Sequence, residues 1–328
     1  MATDPRDKVY ALLGLLPPED AKGITVDYRQ SAEEVFMKTS YYILTQKPLL
    51  EGLITLADAG IGLGGDRRSL PSWAPDWLSV SRPTYFSKSQ YADTPEPTSQ
   101  PVARYGPHSG SLTIEGIVVD TVTKISSRRP TSHAVFYPAD RDALAKQCQV
   151  VLDYLEEARH GFQYTMYDCD TKDQWPLDAF WRTLIADIDF SSKNAEVAAP
   201  ELKHAFVQWL QRLKSAAAGD DSWIEQGHSY PENRIADTCA FRYAFSRYYG
   251  CRLFVTAGGY FGLGLPGIKE DDRVIWIKGG RIPYIIRQSS ASDHGAQGTY
   301  QLVGQCFVYG LTEDKAVELG EVQDIVLV

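Results

Sequence analysis

The sequence predicts an α+β protein in which helices flank a small β-barrel-like structure. Three observations carry this. A β-branched run from Leu112 to Ile125 stands alone in the middle of the chain, almost everything from Arg252 to the C-terminus reads as strand and turn, and the residues between return to helical spacing. A helical block enclosed by β segments is most simply an insertion in one β-structure whose first strand is 112–125. With 328 residues, 44% of them hydrophobic, the chain can bury a full core. The expected organisation is a helical N-terminal segment with a tryptophan-rich loop over 1–78, a flexible connection over 79–110, and a β-structure over 111–328 with a helical insertion at about 134–249. These parts can form one compact domain.

Taken in order, Asp4-Pro5-Arg6-Asp7 opens a first helix: Asp4 is suited to cap it, Pro5 to its first turn, and Asp7 to its positive end. Val9, Leu12, Leu13 and Leu16 form its apolar stripe, and Pro17-Pro18 ends it. Ile24 to Tyr28 is short and extended. Ser31-Ala-Glu-Glu34 is a capping box that opens a second helix to about Thr45, and a third helix covers Leu49 to Ala59. Gly60 to Gly65 and Leu70-Pro-Ser-Trp-Ala-Pro-Asp-Trp77 hold too many glycines and prolines for regular structure and read as an ordered aromatic loop. Residues 79–110, rich in Ser, Pro, Thr and Tyr, are the connection. The run 112–125 is one long strand or a hairpin, with Gly116 placed where a bulge can form. Helical spacing then covers Ala139 to Ala158, Leu177 to Ile188, Glu201 to Ala218 and Asp237 to Tyr249.

Composition excludes several function classes. A net charge of −9 with scattered basic residues argues against a nucleic-acid partner, which requires a positive face. No apolar run approaches the ~20 residues of a membrane helix and the N-terminus carries no signal-peptide pattern, so the expectation is a cytoplasmic protein without a membrane partner. Five cysteines without a C-x-x-C suggest buried thiols, and six histidines without i, i+4 pairing support no metal site. Gly262, Gly264 and Gly267 satisfy G-x-G-x-x-G, yet Pro266 interrupts the motif and a strand-like run follows where a phosphate-binding helix is needed. A kinase-type glycine loop fails as well, because no His-Arg-Asp or Asp-Phe-Gly follows. These glycines therefore read as tight corners with positive φ in a small β-structure, and no cofactor is expected. Asp168 to Asp173 starts like a calcium loop but places Lys172 at a ligand position and Ala179 where the bidentate glutamate belongs. The adjacent acids Glu33-Glu34, Glu156-Glu157, Asp220-Asp221 and Asp271-Asp272 read as solvated surface.

Positive candidates are few. Trp73 and Trp77 on either side of Asp76 can form an aromatic ligand pocket around a carboxylate, or can pin the loop to a core. Arg182 in Phe180-Trp-Arg-Thr-Leu184 and Arg287 after an apolar strand can recognise a carboxylate in fork geometry, or serve as ion-pair partners. Tyr260, beside the glycine run, completes a set in which Asp76, Arg182, Tyr260 and Arg287 are candidate catalytic residues and Trp73 and Trp77 candidate ligand contacts.

Several segments together resemble one family, the fungal heterokaryon-incompatibility (HET) domain proteins: Ala2 to Gly14 with its Asp-Pro-Arg-Asp, Val26-Asp-Tyr28, Leu70 to Trp77, Phe180 to Leu184, Arg252 to Thr256, Gly259 to Gly264, Asp272 to Trp276, Pro283 to Arg287 and Tyr300 to Gly310. In this family Asp-Pro-Arg-Asp usually follows the HET domain, so the resemblance implies the C-terminal region without that N-terminal effector domain. The chain departs from the family at Phe307-Val-Tyr-Gly310, where Tyr-Val-His-Gly is usual, and at Glu313-Asp-Lys315. Two functions follow from the resemblance. One is a non-enzymatic recognition or regulatory protein with a protein partner, related to non-self recognition in filamentous fungi. The other is a tailoring enzyme of isomerase or cyclase type acting on a small apolar or aromatic fungal metabolite in secondary metabolism. Neither sets an oligomeric state.

Overall fold

The computed structural model describes residues 3–46, 56, 58–63, 69–78, 103–108, 110–130, 141–161, 177–189, 196–220, 238–289 and 298–328. Helices α1 (Asp7–Leu13), α2 (Pro18–Ala21) and α3 (Ala32–Gln46) precede strands β1 (Ala103–Tyr105) and β2 (Leu112–Ile125). Helices α4 (Arg141–Gly161) and α5 (Leu177–Leu184), the short strands β3 (Ile188–Asp189) and β4 (Glu196–Val197), and helices α6 (Leu202–Ala217) and α7 (Thr238–Ser246) follow. Strands β5 (Arg252–Thr256), β6 (Phe261–Gly264), β7 (Arg273–Ile277), β8 (Pro283–Gln288) and β9 (Thr299–Val308) lead to helix α8 (Glu313–Leu319) and strand β10 (Val322–Leu327). Among the described residues no helix is long and apolar enough to cross a membrane.

The main sheet runs β2-β5-β6-β9-β8-β7, and β7 pairs with β2 again, so the pairings return to their starting strand. This is the barrel-like α+β architecture that the sequence predicts. All neighbours in this ring are antiparallel, while β10 lies antiparallel to β2 and parallel to β9. Strand periodicity explains the packing. Phe254, Val274, Trp276 and Ile285 share one cluster with Ile117 and Val122. Their neighbours Ile275, Ile277, Tyr284 and Ile286 point the other way, into a cluster with Val35, Phe36, Leu44 and Trp73 of the N-terminal segment. Leu253, Val255, Phe261 and Leu263 likewise face outward, against Trp181, Phe206, Trp209 and Phe245 of the helical block. Helices thus cover the sheet on two flanks, which is why Val274-Ile-Trp-Ile277 is apolar without alternation.

Local signals in the first sixty residues are realised in detail. Ser31 and Glu34 form the reciprocal capping box: the Glu34 amide donates to Ser31 Oγ at 3.1 Å and the Ser31 amide to Glu34 Oε2 at 3.0 Å. Asp4 does not cap α1, which begins at Asp7. Instead its carboxylate accepts from the Arg6 amide and from Arg6 Nε, both at 2.9 Å, and the guanidinium holds it down at about 2. Arg6 Nη1 donates to the carbonyls of Tyr28 and Gln30, and the Tyr10 hydroxyl bonds to the backbone of Asp27. Asp-Pro-Arg-Asp with Tyr10 therefore clips α1 to the extended segment around Val26-Asp-Tyr28. Because α1 stops at Leu13, the expected stripe is only partly buried: Leu12 is 55% and Leu16 43% exposed. Pro18 opens α2 as well as following α1.

Elsewhere the structure corrects the sequence reading. The run 112–125 is one strand, and its irregularities lie between Val118 and Asp120 and between Val122 and Lys124, not at Gly116. Gly116 pairs with Ile277 and Gln323, and a Cβ there would sit 2.9 Å from the Trp276 carbonyl oxygen, so close approach and not a bulge selects glycine. Gly262 is likewise selected by packing, since its Cβ would meet the Phe254 ring at 2.2 Å; only Gly259 in this run needs positive φ, at 83°. Helix α8 interrupts the expected strand and turn region, capped by Thr312, whose hydroxyl accepts from the Lys315 amide. Ala103–Tyr105, inside the expected connection, pairs with Leu112–Ile114. Residues 79–102 and most of the expected helix at 49–59 lie outside the described residues. Cys148, Cys251 and Cys306 are buried free thiols, as expected, and burial pushes Cys251 up to about 12.

Of the pair Asp271-Asp272, expected on the surface, Asp272 is 1% exposed. Its two oxygens take Arg287 Nε at 2.7 Å and Nη2 at 2.9 Å, and Oδ2 also accepts from the Lys269 amide at 2.7 Å. Asp271 is exposed, with φ 69° and its amide bonded to the Val122 carbonyl. Neighbouring acids should therefore respond with opposite signs. Asp272→Asn, which strips the partly buried Arg287 of its counter-charge and removes the buried partner of the pair, should lower unfolding free energy by about 3 kcal/mol. Asp271→Gly, which relieves a left-handed backbone at an exposed position, should raise it by about 0.5–1 kcal/mol. Urea melts of the two variants check both, and equal effects would contradict these roles.

Candidate functional site

The tryptophan loop is anchored by Ser72. Its amide donates to the carbonyl of Val328 at 2.9 Å, its hydroxyl also donates to that carbonyl, and the Leu302 amide donates to Ser72 Oγ at 2.7 Å. Trp73 is 1% exposed and donates its indole N–H to the Gly110 carbonyl at 3.0 Å. Trp77 packs edge-on against Phe36 with ring centroids 5.2 Å apart, and Asp76 Oδ1 accepts from the Leu78 amide at 3.0 Å. The pinning role weighed for this loop is thus visible in its bonds.

In front of this loop lies an open depression of about 400 Å³, walled by Met37, Lys38 and Tyr41 of α3 and by Tyr105, Pro107 and His108. Gly110, whose carbonyl holds Trp73, belongs to the same wall. Tyr41 and Tyr105 stack with centroids 3.7 Å apart and planes within 15°, yet Tyr105 remains 66% exposed. Ser111 fixes the loop between β1 and β2: its hydroxyl accepts from the His108 amide at 3.0 Å and donates to the His108 carbonyl at 2.7 Å. Lys38 Nζ donates to Gln30 Oε1 at 2.7 Å. An aromatic, apolar wall with a cation and an imidazole can bind a planar or apolar group. Tyr105 escapes sequence reasoning because the three-residue β1 is too short for a periodicity signal; His108 lies in the loop that follows, and Tyr41, though on the predicted helix, gains its meaning only from the distant Tyr105 stacked on it.

The other candidates sit elsewhere. Arg182 lies on α5 in the helical flank, where Nη1 donates to Asp187 Oδ1 at 2.5 Å and to the Ala198 carbonyl at 2.7 Å. Helix α5 ends there in a Schellman-type turn without glycine: the Asp187 amide reaches the Arg182 carbonyl at 2.7 Å and the Ala186 amide that of Thr183 at 3.1 Å. Ala186 and Asp187 adopt φ 51° and 56°, which L residues avoid. Burial raises the Asp187 carboxyl above its usual range, with Arg182 opposing. Tyr260 is 5% exposed and packs with the sheet's inner cluster, its amide donating to Thr256 Oγ1 at 3.0 Å. Arg287 is engaged by Asp272. The six candidates therefore fall in different packing units: Trp73 and Trp77 with the N-terminal flank, Arg182 with the helical block, and Tyr260 inside the ring.

A family model described as the Het-6 beta-barrel domain matches residues 109–328, a span that opens just before β2 and closes after β10. The chain is also 24% identical to heterokaryon incompatibility protein 6, OR allele, of Neurospora crassa, over an alignment taking in 99% of this chain and 51% of that protein. It spans about half the length of the curated relative it matches. No solved structure matches it. The ring of strands, the helical block between β2 and β5, and α8 all fall inside the matched span, and the chain belongs to the Het-6 β-barrel domain family.

Proposed function

We propose that this chain is a recognition or regulatory protein of heterokaryon incompatibility, and that it meets a protein partner through the Tyr41–Tyr105 depression. The observation that carries this reading is Tyr105: an aromatic residue 66% exposed, held in a fixed orientation by its stack on Tyr41. Interfaces concentrate their energy in such aromatic anchors, and one that is already ordered loses little entropy on binding. The relative's name supplies the process. Two of the polar residues considered for catalysis support the same reading, because Asp76 and Arg287 each hold an intramolecular contact.

The test uses three strains of the fungus that carries the gene: unaltered, deleted, and Tyr105→Ser. Each is paired with tester strains, and cell death after fusion is scored alongside small-molecule extracts. Deletion should weaken the death response to at least one tester, Tyr105→Ser should reproduce at least half of that loss, and extracts should not change. Unaltered responses to all testers, or a missing compound family with an accumulating precursor, would overturn the proposal, the latter in favour of a tailoring enzyme.

A further inference from the structure

Three arginines of this chain close the same edge on a carboxylate. Arg6 gives Nε and Nη2 to the two oxygens of Asp4 at 2.9 and 2.7 Å, Arg29 to those of Asp27 at 2.9 and 3.0 Å, and Arg287 to those of Asp272 at 2.7 and 2.9 Å. Arg182 is arranged differently. Both of its hydrogen bonds, to Asp187 and to the Ala198 carbonyl, leave from Nη1. The Nε–Nη2 edge, whose parallel N–H groups match two carboxylate oxygens, stays open toward the described residues. The side chain keeps 16% of its surface accessible, and neither Nε nor Nη2 is among the buried nitrogens left without a partner.

The surroundings hold this edge in place. The guanidinium lies 4.5 Å from the centre of the Trp181 ring, and the Trp181 indole N–H is fixed by Asp178 Oδ1 at 3.1 Å. Lys203 Nζ stands 3.0 Å from the same Asp178 oxygen. The strained pair Ala186-Asp187 turns the chain back so that Asp187 takes Nη1 and leaves the other edge unused. Backbone strain kept at a charged cluster points to a site that needs that geometry.

We propose that the open Nε–Nη2 edge of Arg182 binds the carboxylate of a ligand, with Lys203 of the same cluster as the nearby cation. A monoanionic, planar two-oxygen group fits better than a phosphate: the fork is flat, and two aspartates within the cluster oppose a second negative charge. This site belongs to the helical flank and is independent of the aromatic depression. The carboxylate can come from a free organic acid or from an acidic side chain.

The experiment titrates the full chain at low salt with benzoate and, separately, with N-acetyl-aspartate amide, following binding by NMR and calorimetry. At least one probe should bind saturably and one to one, and which one does so identifies the source. Arg182→Lys should weaken that binding at least tenfold, and Lys203→Met, which leaves the Arg182–Asp187 pair intact, at least twofold. Should Arg182→Lys fail to fold, Lys203→Met decides. Absence of saturation with both probes, or variants that bind like the parent, would overturn the site and leave an adventitious contact only.

Discussion

The whole sheet depends on one strand having four partners. β2 is 14 residues long, and at about 3.3 Å per residue it outreaches every other strand of the fold. One of its edges takes β1 and then β7, and the other takes β10 and then β5. A strand this long cannot serve two directions while straight, and the register shifts after Val118 and Val122 bend it where it changes partner. Gly116 lies at the point where β7 and β10 flank the strand together, and the absence of a side chain lets their backbones approach. Closing the ring removes the open edges that would otherwise invite pairing with another chain.

The helical flank joins that ring through Arg129, a few residues past the end of β2. This arginine is 2% exposed and has no carboxylate partner among the described residues. Nη1 donates to the carbonyls of Leu184 at 2.8 Å and Phe245 at 3.0 Å, at the C-terminal ends of α5 and α7, where helix dipoles place partial negative charge. Phe245 adds its ring 4.2 Å from the guanidinium carbon. Two helix ends and an aromatic face thus stand in for a counter-charge at Nη1, while Nε and Nη2 stay buried without a hydrogen-bond partner among the described residues. The arrangement also explains why the helices meet the ring at this corner: the Arg129 amide donates to the Cys251 carbonyl, and its own carbonyl accepts from Gly250, beside the start of β5.

What was legible in the sequence was local or periodic. The capping box at Ser31, the four helical stretches between β2 and β5, and the β-branched runs each announce themselves within a few residues. The barrel-like class followed because a helical block between β segments leaves few other topologies. What was hidden depended on partners far along the chain. Asp271-Asp272 looks like one acidic pair, yet Asp272 meets Arg287 fifteen residues later while Asp271 faces solvent. The glycines of 258–267 look like corners, but Gly262 is set by a ring on the neighbouring strand. Thr312-Glu313-Asp314 was a readable helix start, and α8 was obscured only by the strand-rich segments on either side. For the candidate site, Trp73 lies behind the depression, bonded to Gly110 of its wall, and the residues that line the depression carry no motif.

The distinction between recognition and catalysis rests on which polar valences the fold leaves unused. Arg287 has its Nε–Nη2 edge closed by a buried aspartate, and Tyr260 packs inside the ring with its amide bonded to Thr256. A barrel-like sheet covered by helices on two flanks favours this arrangement, because interior polar groups must be satisfied within it or destabilise it. Unused capacity therefore gathers on the flanks, where the depression beside β1 keeps an ordered tyrosine face and the end of α5 keeps an open guanidinium edge. Both lie outside the ring, so a group held at either as proposed would not require the ring to move.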